Sequence, residues 1–467
     1  MERLTPMDAQ FVDAEDEDRH TSFAIASIAV FEGPSPTYDE FYAAIDGRLA
    51  MVPIYRRKLR EVPFRLGPPV WVDDPNFDLR YHIRQTALPT PGGDQELSNL
   101  MARVMTQRLD RDFPLWEYWL VEGLAAGRWA LISKVHHCMV DGVSGTDMYR
   151  VIFDLSPEPP PPVVDARPAV AEPSGLSLAA SAAVDMVARP VKGALAVAGA
   201  LTRPREAVLQ ASQTARAVAK LAASASPATR SSLSGPIGRQ RRYTWARASL
   251  GDIKHIKREF GGTVNDVVLA AISSGFRELL LSRGEHPSPR MIRSLIPVSL
   301  RAPGEQNLYG NRVSVVLANL PVHVPDPLDQ LAVIRAEMSD IKAVREASAG
   351  EALIALGRVT PFPLASLTVR LAYRLPQREI VTVTTNVPGP QQSLYGLGRR
   401  LVEIIPYVPI ATSLRLGVSI LTYCDQVTFG ITGDYATTAD IDVLARGIEH
   451  GIAELTEAAR SGSARPE

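Results

Sequence analysis

Two hydrophobic periods alternate along the chain. Apolar residues at every second position predict half-buried strands, and apolar residues every three or four positions predict amphipathic helices. By that test "TSFAIASIAVFEG" from Thr21 is a strand, "YDEFYAAIDGRLA" from Tyr38 a helix, and "DQELSNLMARVMTQRLD" from Asp94 a longer helix. "WEYWLVEGLAAGRWALISKVHH" from Trp116 reads as two strands joined by a turn at Ala125, Ala126 and Gly127. Residues 1–155 therefore form a first half in which strands and helices mix.

The pattern then breaks. "SPEPPPPVVDARPAVAEP" from Ser156 is too rich in proline for a helix or a central strand and predicts a semi-rigid connector. From Ser174 to about Gly238 the chain is rich in Ala, Ser, Val, Arg and Lys, without one aromatic residue. Helical propensity is high there, but little bulk is available for a core. Residues 156–238 thus read as a long linker with one or two surface helices.

Alternation resumes in a second half, residues 239–467. "SLGDIKHIKREFG" and "TVNDVVLAAISSGFRELLLSRG" predict successive helices, with Thr263 placed to cap the second. "RMIRSLIPVSLR" and "NRVSVVLANLPV" predict strands. "PLDQLAVIRAEMSDIKAVREA" and "EALIALGRVTPFPLASLTVRLAYRL" are helical apart from the break at Pro361 and Pro363. "EIVTVTTNVPGP", "SLRLGVSILTYCDQ" and "VTFGITGDYA" return to strand, and "TADIDVLARGIEHGIAELTEAA" is a closing amphipathic helix. The fold class is α/β, with mixed sheets, in two halves.

Composition narrows the function. At 467 residues and 46% hydrophobic, the chain has material for two or three domains with large cores. Its 50 Lys plus Arg nearly cancel 51 Asp plus Glu, with no basic stripe, so nucleic-acid binding drops out. Cys138 and Cys424 have no CxxC neighbour, which argues against a disulfide framework or a structural zinc site and fits a reducing compartment. The acidic N-terminus lacks the apolar core of a signal peptide. The longest apolar run, "LSLAASAAVDMVARPVKGALAVAGAL", is broken by Asp185, Arg189, Pro190 and Lys192. A cytoplasmic location is expected.

The stretch with most chemistry is "KVHHCMVDGVSG", residues 134–145, which uses two of the 8 histidines side by side at a strand end. Side chains alternate along a strand, so only one imidazole faces a given cleft. Four readings compete. Both histidines can be structural, with Asp141 capping a helix that begins near Gly142. A metal site has His137 and Asp141 four apart but no third ligand at a recognisable spacing. A Cys-His nucleophile needs its partners within hydrogen-bond reach, and Cys138 follows His137 directly, so its side chain is expected to point away. A general base needs a near-neutral imidazole held in one tautomer, which Asp141 one turn later can help fix.

H-H-x-x-x-D-G at His136, His137, Asp141 and Gly142 resembles the signature of the chloramphenicol-acetyltransferase-like, CoA-dependent acyltransferases, which include condensation domains of peptide synthetases. "LTPMDAQFVDAEDEDRH" resembles the opening of the bacterial, mycobacterial-type wax ester synthase/diacylglycerol acyltransferases. Their P-L-W element is similar to Pro114, Leu115 and Trp116, and their N-D and N-x-P-G elements to Asn265, Asp266, Asn386, Pro388 and Gly389. The resemblance spans residues 4 to 460 in order, and the linker matches no motif.

That resemblance implies two chloramphenicol-acetyltransferase-like halves with a central tunnel, acyl-CoA entering as co-substrate and a diacylglycerol or fatty alcohol as acceptor. It implies no metal and no resident cofactor. His137 would be the general base, and Asp141 an orienting residue paired with an arginine such as Arg301 or Arg57. His136 would support from behind, and Gly142, Asn265, Asn386 and, by alternation, one of Thr384 and Thr385, taken as Thr384, would meet substrate. Plainer readings stand beside these: Asn265 and Asp266 as a helix start, Asn386 as a turn residue, Trp116 and Trp119 as core. "PLASLTVRLAYRLP" can line an acyl tunnel, and arginines near "GRQRRYTWAR" can meet CoA phosphates. The stretch from Ser174 suits shallow, reversible contact with a membrane or lipid droplet. Alternatives are an acyltransferase acting on a polyketide- or trehalose-type lipid alcohol or on carrier-bound acyl groups, and a lipid-binding protein without catalysis.

Overall fold

The structure, a computed structural model, describes residues 2–140, 151–159, 161, 173–184, 231–299, 313–345 and 380–462. Three sheets organise them. A small sheet joins β1 (Glu2–Arg3), β4 (Val70–Asp73) and β3 (Arg57–Arg60) in that order. The first six-stranded sheet runs β12 (Tyr395–Gly396), β13 (Arg399–Tyr407), β2 (Ala24–Phe31), β7 (Arg128–His136), β6 (Trp116–Leu124) and β5 (Ile83–Ala87). The second runs β10 (Val313–Leu320), β9 (Ile292–Ser299), β11 (Thr382–Val387), β14 (Leu416–Tyr423), β15 (Gln426–Asp434) and β8 (Arg241–Ser249). Both larger sheets mix parallel and antiparallel pairs.

The helices of the first half are α1 (Pro6–Glu17), α2 (Tyr38–Asp46), α3 (Leu79–His82), α4 (Asp94–Thr106) and α5 (His137–Val140). Those of the second are α6 (Leu250–Phe260), α7 (Val264–Ser282), α8 (Pro327–Arg345) and α9 (Ile441–Ser461). Local chemistry explains their starts. Thr37 and Glu40 form a capping box on α2, and Thr263 and Asp266 form one on α7, so the cap read from sequence is present. The turn between β6 and β7 places Ala126 and Gly127 at φ 61° and 64°, the left-handed region that closes a tight reversal.

The second sheet is buried on both faces. Leu416, Val418 and Ile420 of β14 pack with α7 and α9, while Leu421 and Tyr423 join the core of the first half. On β8, Ala246 packs with the helices while Tyr243 and Trp245 join the first core. The chain also crosses over: β13, late in sequence, pairs with β2 in the first sheet, and Tyr407 sits in that core. The halves thus share packing.

β8 and β13 were not predicted, and both have a physical excuse. "RRLVEIIPY" of β13 is buried along most of its length and so shows no clean alternation. β8 carries its arginines on a strand that reads as merely basic. They are engaged within the protein: Arg241 donates to Gly238 O, Arg242 to Tyr435 O, and Arg247 to Asp94 and Glu403.

Of the linker, residues 175–184 are helical, with Leu178 and Ala182 buried against Val62, Val70 and Val72 of the small sheet's lobe. Arg3 donates to Ser181 Oγ at 2.7 Å. Residues 162–172 and 185–230, where a further linker helix is expected, and "PLASLTVRLAYRLP" lie outside the described residues. Among the described residues no helix is long and apolar enough to cross a membrane.

The two large sheets meet at Pro406 of β13. Its carbonyl accepts from Tyr243 Oη at 2.7 Å and Ser419 Oγ at 2.8 Å. A Cβ on Gly430 of β15 would stand 1.7 Å from that oxygen. Backbone lies against backbone, so nothing can rotate aside. Gly430→Ala is expected to lower unfolding free energy by about 1–3 kcal/mol, read from the denaturant midpoint. An unchanged midpoint would show that the sheets separate without cost.

Candidate active site

β7 carries the histidines and is itself fixed from behind. Lys134, two residues before His136, is buried and donates to Val104 O at 3.0 Å and Gln107 O at 2.6 Å, closing the C-terminal end of α4. Burial pulls its ammonium down to about 8 against the opposing pull of Glu117. His136 is the last residue of β7, opposite Ala24 of β2, and His137 opens the one-turn helix α5. The backbone changes character between the two histidines, and their surroundings differ accordingly.

His136 is buried. Its Nε2 lies 3.2 Å from Glu15 Oε1, and its Nδ1 lies 2.9 Å from Cys138 Sγ. Burial alone would lower the imidazole, but the Cys138 sulfur and the Glu15 carboxylate outweigh it and hold it up at about 10. Glu15 is buried too. Desolvation would raise its carboxyl, yet His136, the Phe23 amide and Arg111 bring it down to about 2. The amide of Phe23 donates to Glu15 Oε1 at 2.6 Å, and Arg111 Nη2 lies 3.2 Å from Oε2. Arg111 also pairs with Asp16 at 2.6 Å, and Arg108 donates to the Glu15 carbonyl. His136 is thereby committed as the cation of a buried ion pair.

His137 is half-buried. Its amide donates to Phe23 O at 3.0 Å, and its ring lies against Phe11 of α1 with centroids 4.3 Å apart. Phe11 in turn meets Phe23 at 5.0 Å. Cys138 is buried and faces His136, away from solvent. A Cys-His contact therefore exists, but with His136, whose charge is already taken by Glu15. Asp141 and Gly142 lie outside the described residues, as does Arg301; Arg57 pairs with Glu2 and Asp73.

A second group forms in the other half. Asn386 Nδ2 donates to Asn265 Oδ1 at 3.2 Å, so the N-D and N-x-P-G elements meet. Asp266 belongs to the helix cap, where its Oδ2 accepts from the Thr263 amide at 2.7 Å. Asn386 is not a turn residue: it lies within β11, which ends at Val387. Gly389 donates to Thr422 Oγ1 at 3.0 Å, and a Cβ there would stand 2.0 Å from Thr422 O. Thr384 is buried and accepts from Ser294 Oγ at 2.7 Å. By register it shares the helix-facing side with Val418, whereas Thr385 pairs with Ser419 on the side toward the first half. Of these two threonines, Thr385 is the one turned toward the interface between halves.

Trp116 is core: fully buried, it donates to Tyr55 O at 2.8 Å and stacks on His82. Among the described residues no group of three or more His, Cys, Asp or Glu is arranged to hold a metal. Sequence reading missed Phe11, Glu15 and Phe23. The available signal was the i, i+4 spacing of Phe11 and Glu15 in a helix that Thr5 caps and Pro6 starts.

Comparison with known proteins agrees over the whole length. Residues 4–268 match the family model described as the wax ester synthase/diacylglycerol acyltransferase catalytic domain, and residues 309–456 match the WS/DGAT C-terminal domain. The chain is 40% identical over 462 residues to the probable diacylglycerol O-acyltransferase tgs1 of Mycobacterium tuberculosis, covering 97% of this chain and 96% of the relative. The wax ester synthase/diacylglycerol acyltransferase from Marinobacter aquaeolei VT8 superposes with a TM-score of 0.69 and 26% identity, over 98% of this chain and 100% of that one. The first condensation domain of the CDA synthetase shares the fold, with a TM-score of 0.57 at 14% identity over 99% and 96% of the two chains.

The Glu15–His136 pair makes stability depend on pH in a predictable direction. Glu15 falls from 4.5 to about 2, so its contribution is complete above 4.5 and disappears as pH drops through 2. His136 rises from 6.5 to about 10, so its contribution is complete below 6.5 and disappears as pH climbs through 10. Denaturant midpoints are expected to be highest between pH 4.5 and 6.5 and to fall toward pH 10. In Glu15→Gln the alkaline fall should become shallower and begin at lower pH, the part due to Cys138 remaining; an unchanged slope would separate the pair from the pH dependence.

Proposed function

Because the chain belongs to the wax ester synthase/diacylglycerol acyltransferase family, we propose that it transfers an acyl group from acyl-CoA to the hydroxyl of diacylglycerol, of a long-chain alcohol, or of both, with His137 as general base. The observation that carries the assignment is the division between the two imidazoles. His136 is buried and bound by Glu15, while His137 is only partly buried, its ring against Phe11.

The chemistry is then short. His137 accepts the hydroxyl proton as the alcohol oxygen attacks the thioester carbonyl. The tetrahedral intermediate collapses with cleavage of the C–S bond, and the CoA thiolate leaves and takes a proton. A thiol's pKa near 8.5 makes this departure easy, so most of the work is activating the nucleophile and holding it in line. No acyl-enzyme is needed. Acyl-CoA is a co-substrate, and the reading needs no resident cofactor.

The test is ester formation from labelled palmitoyl-CoA with diacylglycerol and, separately, with hexadecanol. His137→Ala is expected to lower kcat by about 10²–10⁴-fold while its circular dichroism and unfolding midpoint stay as in the wild type. Equal turnover by both proteins would end the general-base assignment. Product with neither acceptor from the wild type would point to another lipid alcohol.

A lipid surface also belongs to this proposal. Phe64 is 90% exposed and Leu176 86% exposed, and Gly175 beside Leu176 approaches Pro63 beside Phe64. Phe64 stands on a turn at φ 55°, which holds its ring outward from the lobe. Arg57, Lys58 and Arg65 of the same lobe are paired with Glu2, Asp73, Asp74 and Asp16, so the contact rests on the two apolar side chains. Co-sedimentation with phosphatidylglycerol-containing vesicles is expected to drop in a Phe64→Ser, Leu176→Ser double variant. Wild-type partition in that variant would move the contact elsewhere.

A further inference from the structure

The N-terminal helix reaches both histidines of the motif from one face. Phe11 and Glu15, one turn apart on α1, meet His137 and His136 respectively. The contacts close into a circuit. Glu15 holds the His136 ring at 3.2 Å and the Phe23 amide at 2.6 Å. The carbonyl of Phe23 accepts the His137 amide at 3.0 Å, and its ring meets Phe11, which lies on the His137 ring. We propose that Glu15 and Phe11 are positioning residues for the acyl transfer: Glu15 fixes the backbone from which His137 projects, and Phe11 sets the plane of its ring.

Two physical arguments support a positioning role over plain packing. A buried carboxylate costs several kcal/mol to desolvate, and apolar packing would hold α1 without that cost. A carboxylate oxygen accepts from fixed directions, and here Oε1 accepts from the Phe23 amide while standing 3.2 Å from His136 Nε2 as its ion-pair partner. The result is angular control over two consecutive residues, His136 through its ring and His137 through Phe23. An aromatic face 4.3 Å from an imidazole, tilted 37°, narrows the range of ring rotation without forming a hydrogen bond to it. The charged groups facing the pair are Arg108 and Arg111 from the loop after α4, Asp16 on α1, and Lys134 on β7.

The inference rests on the proposed role of His137, so its test needs one readout of geometry and one of turnover. Glu15→Gln keeps the size and removes the charge. It is expected to lower kcat on the order of 10–100-fold with KM for acyl-CoA and acceptor nearly unchanged. The alkaline limb of the pH profile of kcat should also move down as His136 loses Glu15 and keeps only Cys138 beside it. In histidine-labelled protein, the ring ¹⁵N resonances of His137, assigned with His137→Ala, should shift in Glu15→Gln and in Phe11→Leu. Wild-type kcat, pH profile and His137 resonances in a folded Glu15→Gln would overturn the role of Glu15. If that variant does not fold, Phe11→Leu decides, and wild-type turnover with unshifted resonances there overturns the proposal. Shifted resonances with unchanged kcat in both variants would leave the geometry and refute the base assignment of His137, which separates the two failures.

Discussion

The contact between Glu15 and His136 ties α1 to the facing ends of β2 and β7. Two groups of opposite charge are buried together, a situation that costs stability unless every polar atom is well served. On the Glu15 side the Phe23 amide, Arg111 and Arg108 supply that service. The consequence is a fixed register where β2 begins beside the end of β7, since Phe23 lies one residue before the Ala24–His136 pair. A slip by one residue would turn His136 out and His137 in. It would also strand the Glu15 carboxylate without its cation. The ion pair therefore acts as a penalty on every alternative register, which is a service apolar packing at the same spot cannot provide.

The second constraint is the shared core. β13 leaves the second half to lie beside β2, and its Glu403 accepts two bonds from Arg247 of β8, at 2.7 and 2.9 Å. The same guanidinium reaches Asp94 at the start of α4 and lies over Trp245. One arginine thus ties β8, β13 and the first helix turn of α4 together. With Pro406 accepting from Tyr243 and Ser419 nearby, the halves meet through backbone and bidentate contacts with little freedom to slide. A histidine in one half can then be aimed with respect to a strand in the other.

How much of this could be read in the sequence depended on whether a feature was local. The β6–β7 hairpin, β2 and the capped start of α7 were legible because period and cap chemistry act over a few residues. β13 was not, because a strand buried on both faces loses its alternation. The different fates of His136 and His137 were legible as a principle, since neighbours on a strand diverge. The partner that fixes His136 was not, because Glu15 comes from a distant helix. For the same reason alternation could say that one of Thr384 and Thr385 faces the other half, but only the pairing of β11 with β14 says that it is Thr385. Cys138 taught a related lesson: its direction away from His137 followed from adjacency, while its contact with His136 required the turn into α5.

The N-D and N-x-P-G elements show why scattered motifs can be one structural unit. Asn265 at the start of α7 and Asn386 near the end of β11 are joined by a single hydrogen bond. Each is held by its neighbours in sequence. Asp266 closes the cap that fixes Asn265, and Gly389 lets the chain after Asn386 lie against Thr422. Replace Gly389 with any residue bearing a Cβ and β11 must lift from β14, which would carry Asn386 away from Asn265. The glycine and the aspartate therefore need no contact with substrate to matter for a site. Their part is steric and electrostatic support for a pair of amides, in the way that Glu15 supports a pair of imidazoles in the other half. In both places one polar group is committed internally so that its neighbour keeps a defined direction.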